Sequence, residues 1–192
     1  MGSVFPSLTV SLPEWISDVC HPGAVYQSVE DRMGLAVELA RTNVARQTGG
    51  PFGAAVFDIE SGEIIAPGIN LVVSAHASLA HAEMLAIAFA SRALETFDLG
   101  VRATELVTST EPCAMCLGAV PWSGVRRLVC GARDEDARRI GFDEGDKPAN
   151  WISRLETRGI EVVRDVSRAE ATSVLEDYAR SGGTIYNGRG ET

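Results

Sequence analysis

His81-Ala82-Glu83, followed further along by Pro112-Cys113-Ala114-Met115-Cys116, sets one histidine and two cysteines at metal-ligand spacing, with a carboxylate beside the histidine. A catalytic zinc takes three protein ligands and leaves its fourth position to water, whose pKa falls far enough to supply hydroxide near neutrality. His81, Cys113 and Cys116 have that count, and Glu83 has the chemistry of a proton shuttle. Pro112 is favoured at a helix start, where its missing N–H costs nothing, and Cys113 and Cys116 then stand on one face. A helix N-terminus also favours negative charge and lowers thiol pKa. His81 leads into a second apolar run, Met84 to Ala90, which reads as a buried helix entered at its N-terminal end and running to about Leu94. Residues two apart point to different sides of a helix, so Glu83 is better placed to reach a bound water than to join His81 as a ligand.

A closed structural zinc would need a fourth donor, and Cys130, Cys20, His21 and His76 are available. Closed sites usually show a second CxxC or CxxH pair, and the sequence has none. Cys130, in Arg127-Leu128-Val129-Cys130, reads as a small buried hydrophobe on a core strand, and His76 as a loop or core histidine.

Composition narrows the class and the partners. A chain of 192 residues, 45% hydrophobic and 22% charged, supports one globular domain with a sizeable core and excludes a disordered or fibrous chain. A net charge of −9 disfavours a broad surface for nucleic acid, so a small neutral substrate is expected. No apolar run reaches membrane-spanning length, and the opening Met1-Gly2-Ser3-Val4-Phe5-Pro6 lacks a basic leader region and a myristoylation signal. Four cysteines, two of them assigned to metal, imply a reducing compartment, and a cytoplasmic location is expected.

Along the chain, residues 1–24 contain Pro6, Pro13, Pro22 and Gly23 without periodicity and read as an N-terminal extension. Residues 25–150 form the expected zinc-dependent domain, and 151–192 add a strand, a helix and a tail to it. Ser28 caps a helix with apolar residues from Val29 to Val44, ended by Gly49-Gly50. Ala54–Ile59 and Ile64–Asn70 flank a hairpin turn, and Glu105–Thr110, Arg127–Gly131 and Glu161–Val166 read as further strands. Asp134 to Asn150 is polar and acidic, with Gly141, Gly145 and Pro148, and reads as a surface loop. Ser167 with Glu170 spells a capping box for a last helix that closes at Gly182-Gly183. Helix alternates with strand, which predicts an α/β sandwich with a largely parallel far half of the sheet.

These motifs together resemble the cytidine-deaminase-like superfamily, in the branch that holds guanine deaminases and bacterial tRNA adenosine deaminases. The residues that carry the resemblance are Gly50-Pro51-Phe52-Gly53-Ala54, Asn70, His81-Ala82-Glu83, Glu111 to Cys116, Leu117-Gly118-Ala119 and Trp122. Histidine, glutamate and a Pro-Cys-x-x-Cys pair are the general signature of zinc deaminases. Asp136-Ala137 and Gly141-Phe142-Asp143-Glu144 resemble the segment by which guanine deaminases contact their base, which favours that branch. The resemblance implies a three-layer α/β/α sandwich with a mixed central sheet, Zn2+ on His81, Cys113 and Cys116, and Glu83 as general acid and base. It implies that Asn70 and the backbone of Ala82 bond the heterocycle, that Phe52, Trp122 and Phe142 line or cover it, and that Asp136 reads an amidine edge. Glu144, or the adjacent Asp143, would assist proton transfer to the leaving amine. Relatives of this type are homodimers whose C-terminal segment, sometimes exchanged between subunits, helps close the site. In Thr184-Ile185-Tyr186-Asn187-Gly188 this makes Tyr186 the expected cap, over its own chain's pocket or a partner's.

The chain departs from the family pattern just ahead of the histidine. Many guanine deaminases carry Asp-Pro-Thr there, and this chain has Ala77-Ser78-Leu79, a more apolar wall. Guanine, or a smaller ring such as cytosine, an azacytosine, isocytosine or an amino-s-triazine, is therefore the expected class of substrate. The alternatives are deamination of tRNA adenosine, against which the acidic charge stands, and a noncatalytic zinc-stabilised interaction module, against which the intact Glu83 stands.

Overall fold

The computed structural model describes residues 5–187, so residues 1–4 of the expected extension and Gly188 of the expected tail lie outside the described residues. The elements run α1 (Ile16–Val19), α2 (Val29–Ala45), β1 (Gly53–Asp58), β2 (Ile64–Ile69) and α3 (Ala82–Ala93). They continue with β3 (Thr104–Thr110), α4 (Ala114–Ser123), β4 (Arg127–Ala132), α5 (Asp134–Arg139), α6 (Trp151–Glu156), β5 (Glu161–Val163) and α7 (Arg168–Arg180). Among the described residues no helix is long and apolar enough to cross a membrane.

The five strands make one sheet in the order β2-β1-β3-β4-β5. β1 is antiparallel to β2 and to β3, whereas β3, β4 and β5 are parallel. Connection length explains the difference: β2 follows β1 through a tight turn, while α4 carries the chain from β3 back to the start of β4. Alternate residues of β1 serve opposite faces. Ala55 and Phe57 pack with α1, α2 and α7; Ala54 and Val56 pack with α3, α4 and α6. The result is the expected three-layer sandwich with a mixed central sheet. Phe57 is fully buried and meets Tyr26 edge-on at 5.5 Å, so Phe57→Ala should cost about 3–5 kcal/mol of stability.

Local sequence sets α2 firmly. Ser28 Oγ accepts from the Asp31 N–H at 3.0 Å and the Asp31 carboxylate accepts from the Ser28 N–H at 3.1 Å, a reciprocal cap. The last helix is different. Ser167 sits in the left-handed region at φ 46° and makes no side-chain cap, which corrects the expected capping box with Glu170. Its preceding turn is held instead by ion pairs that Arg133 and Arg168 make to Asp165.

Residues 134–150 are also not the surface loop expected. Asp134, Glu135 and Asp136 open α5 and Arg138 and Arg139 close it, matching the helix dipole at both ends, and Phe142 and Glu144 are buried beyond it. The helical charge pattern is stronger than the breakers that follow it. At the other side of the sheet Gly68 lets α3 start directly against β2, because a Cβ there would lie 2.1 Å from the Ala82 carbonyl oxygen.

Candidate active site

Two helix starts meet beyond the carboxyl end of β3, the usual edge for sites in sheets of this kind. His81 is the N-cap of α3, Cys113 is the N-cap of α4, and Cys116 follows in its first turn. Cys113 thus lies one position ahead of the helix rather than within it, and its thiol still turns toward the same point. Ligand atoms of the three residues all lie within 4.8 Å of one another, with Cys113 Sγ 3.6 Å from His81 Nδ1. The Cys116 thiol hydrogen bond holds the Cys113 thiol down at about 4 against the opposing effect of burial, with His81 adding to the pull. That same bond, together with burial, pushes Cys116 up. One imidazole nitrogen and two sulfurs, gathered at two helix N-termini, form a donor set that suits a borderline-soft cation of tetrahedral habit.

Glu83, in the first turn of α3, is buried beside this cluster. Burial and then the nearby Cys113 raise its carboxyl to about 7, against the pull of His81. Both face a cavity of about 560 Å³. Its aromatic wall is a chain of edge contacts: Phe52 to Phe142 at 4.9 Å, Phe142 to Tyr186 at 5.1 Å, and Tyr186 to the His81 ring at 6.5 Å. Glu144 lines the same cavity, and burial, then Cys113, pushes its carboxyl to about 8 although Lys147 pulls the other way.

Several expected residues therefore come together: His81, Cys113, Cys116, Glu83, Phe52, Phe142, Glu144 and Tyr186. Asn70 is buried; its Oδ1 accepts from the Val72 N–H at 3.3 Å, while its Nδ2 has no partner. Ala82 is the first residue of α3, where backbone N–H groups lack intrahelical acceptors.

Others do not arrive. Asp136 does not line the cavity: its carboxylate accepts from the Arg133 N–H at 2.9 Å, from Arg168 Nε at 2.9 Å and from Arg139 Nη2 at 2.8 Å, which uses it to cap α5 and dock α7. Trp122 is 87% exposed on the outer face of α4, so within this chain it does not cover the ring. Leu79 also points away, half exposed, and Ala77 and Ser78 line the cavity in its place.

The sequence reading missed two supporting groups. Glu111 lines the cavity and accepts from Arg164 Nε at 2.6 Å and from the Asp134 N–H at 3.2 Å. Lys147, the only lysine of the sequence, donates to the Pro112 carbonyl at 3.0 Å and pairs with Asp134 at 2.6 Å. It thereby fastens the Phe142–Glu144 loop to the cysteine turn, a link reinforced by the Ala114 N–H, which donates to the Glu144 carbonyl at 2.8 Å. A lone lysine among arginines was the available signal.

Residues 27–132 match the family described as the cytidine and deoxycytidylate deaminase zinc-binding region. The chain belongs to that family. Among its solved structures, the guanine deaminase from Nitrosomonas europaea is 47% identical and superposes with a TM-score of 0.87, covering 93% of this chain and 100% of that one. Guanine deaminase from Bacillus subtilis is 41% identical over 120 residues, 59% of this chain and 74% of that protein. A tRNA-specific adenosine deaminase from Buchnera aphidicola is 30% identical over 156 residues, 81% of this chain and 97% of that protein. The family is one of zinc-binding hydrolytic deaminases, and within the matched residues His81, Cys113 and Cys116 are the group that could hold a metal ion.

Proposed function

We propose that this chain is a zinc-dependent hydrolase that deaminates a free purine base of the guanine class. The observation that carries the reading is the gathering of His81, Cys113 and Cys116 beside a buried Glu83 on the floor of an aromatic-walled cavity. Likeness to guanine deaminases supports the purine, as does Leu79, which turns outward and leaves Ala77 and Ser78 facing the cavity. The apolar residue that suggested a smaller ring does not reach it.

Zinc, held by His81, Cys113 and Cys116, would supply an acidified water as the nucleophile. Glu83 would take one proton from the attacking water and deliver it to a ring nitrogen, then carry the second proton, from the hydroxyl newly bonded to the ring carbon, to the departing amine. Burial pushes the Glu83 carboxyl up from the ordinary carboxylate range, toward the pH at which transfer in both directions is possible. The net change consumes one water, replaces the ring amine by a carbonyl and releases ammonia. Glu144, which lines the same cavity and whose carboxyl burial pushes up, serves as the second proton donor to the amine. Asn70 Nδ2 donates to a ring acceptor, and the Ala82 N–H does the same from the helix start. Phe52, Phe142 and Tyr186 enclose the ring and exclude water.

Ammonia release from a panel of guanine, cytosine, isocytosine, amino-s-triazines, guanosine and tRNA tests the reading. Guanine should be turned over fastest, and a protein retaining about one zinc per chain is expected. Faster turnover of a pyrimidine, a triazine or tRNA adenosine would overturn the substrate class. On a sizing column the protein should run as a homodimer; a monomer would exclude exchange of the tail between subunits.

A further inference from the structure

The unpartnered Nδ2 of Asn70 is a buried donor aimed by something else, because a side-chain amide works as a recognition group only when its backbone is fixed. What fixes it is Asn43, near the C-terminal end of α2 and outside the motifs by which the sequence resembles its family. Asn43 is fully buried, and its Nδ2 donates to the Asn70 carbonyl at 2.9 Å and to the Gly50 carbonyl at 2.8 Å. Its Oδ1 accepts from Thr48 Oγ1 at 2.6 Å. The amide thus has both donors committed to the two chain segments that border the cavity on this side, and its acceptor pinned by a hydroxyl that fixes which way it faces.

The two segments are otherwise far apart in sequence. One is the Gly49-Gly50 turn leading to Phe52, which lines the cavity; the other is the end of β2 carrying Asn70. A further bond joins them, the Asn70 N–H donating to the Phe52 carbonyl at 3.1 Å. The joint is packed to contact. A Cβ on Gly49 would lie 1.8 Å from the Asn70 oxygen, and one on Gly50 would lie 2.6 Å from the Tyr186 hydroxyl. Asn43 therefore sits behind two cavity groups, the Phe52 ring and the seat of Tyr186, and behind the buried Asn70 amide next to them, which does not itself line the cavity.

We infer that Asn43 is a positioning residue for substrate recognition, holding the Asn70 amide and the Phe52 wall at the distance the base requires. It touches no substrate, and it lies apart from the metal ligands, so its loss should weaken binding and spare the chemical step. The inference rests on the proposed contact between Asn70 and the base.

The test is a cycle of variants on the full-length zinc protein, with kcat and KM measured for guanine deamination. Asn43→Ala takes the side-chain donor from the buried Asn70 carbonyl and leaves the Gly50 carbonyl with only the Phe52 N–H at 2.9 Å, and it should raise KM roughly tenfold while kcat falls less than about threefold and zinc content is unchanged. Thr48→Val removes only the hydroxyl that orients the amide, on the half-buried rim, and should raise KM about threefold; it carries the test if Asn43→Ala does not fold. In an Asn70→Ala background either change should raise KM clearly less than it does alone, since one of the two positioned groups is gone and only the Phe52 wall remains to loosen. Full additivity in that background, or a loss of kcat with KM unchanged, would overturn the role of Asn43. Unchanged KM in Asn70→Ala alone would overturn the contact between Asn70 and the base, and the inference with it.

Discussion

The two walls of the cavity are built by different means. On the metal side, His81, Glu83, Cys113 and Cys116 occupy the caps and first turns of two helices, so short runs of sequence set their positions. On the opposite side, Phe142 and Glu144 ride on a loop that long-range bonds hold in place: Lys147 to the Pro112 carbonyl, Arg138 to the Gly145 carbonyl at 2.7 Å, and both cations to Asp134. A locally encoded wall should tolerate distant change and fail only when its own residues change. A stapled wall should loosen whenever a staple is lost, with the metal retained.

The largest effect is expected on the metal side. Glu83→Gln should keep about one zinc per chain by elemental analysis and lose about 10³-fold or more in kcat, because it removes proton transfer and no ligand. Cys113→Ala should lose the metal as well. Near-normal turnover by Glu83→Gln would break the comparison at its root.

Next comes the principal staple. Lys147→Met should lower kcat/KM about 10- to 100-fold while zinc content stays near one, as the loop with Glu144 drifts from the cysteine turn. Loss of zinc in that variant would show that the two walls are one unit. Truncation after Gly183 removes Tyr186 and should lower kcat/KM by about tenfold, with the circular dichroism spectrum and zinc content preserved. Unchanged kinetics would reject Tyr186 as a lid.

The smallest catalytic effect should come from Asp136. Burial pushes its carboxyl up, but hydrogen bonds from Arg168, the Arg133 backbone and Arg139 pull it down to about 2. A carboxyl lowered on folding stabilises the fold fully above its unfolded pKa of roughly 3.9, and that stability is lost as pH falls through 2. Asp136→Asn should therefore cost about 2 kcal/mol at pH 7 in urea melts, lose the steep part of acid unfolding between those values, and leave KM for guanine nearly unchanged. A large rise in KM would return Asp136 to the substrate.

The same division governs how much could be read from the sequence. The sheet, the helices that flank it and the metal cluster were legible because apolar periodicity, caps and the Cys-x-x-Cys spacing act within a few residues. Asp136 was assigned to the base because its sequence neighbours resemble a base-contacting segment; Arg139 lies three residues on in the same helix, but its partner Arg168 comes from α7, whose packing no spacing reveals. Trp122 stays off its own chain's cavity because adjacency to the cysteines says nothing about which face of α4 it takes. Asn43 carries no motif or spacing signal, and only the two carbonyls it meets give it a role.

Lys147 has one more consequence, for chemical labelling. As the only lysine of the sequence, with a side chain just 8% exposed, it leaves the surface of the molecule without a reactive side-chain amine. Acylating reagents and aldehyde crosslinkers should therefore pass over the folded side chains, and modification at Lys147 becomes a clock for how often its loop lifts off the cysteine turn.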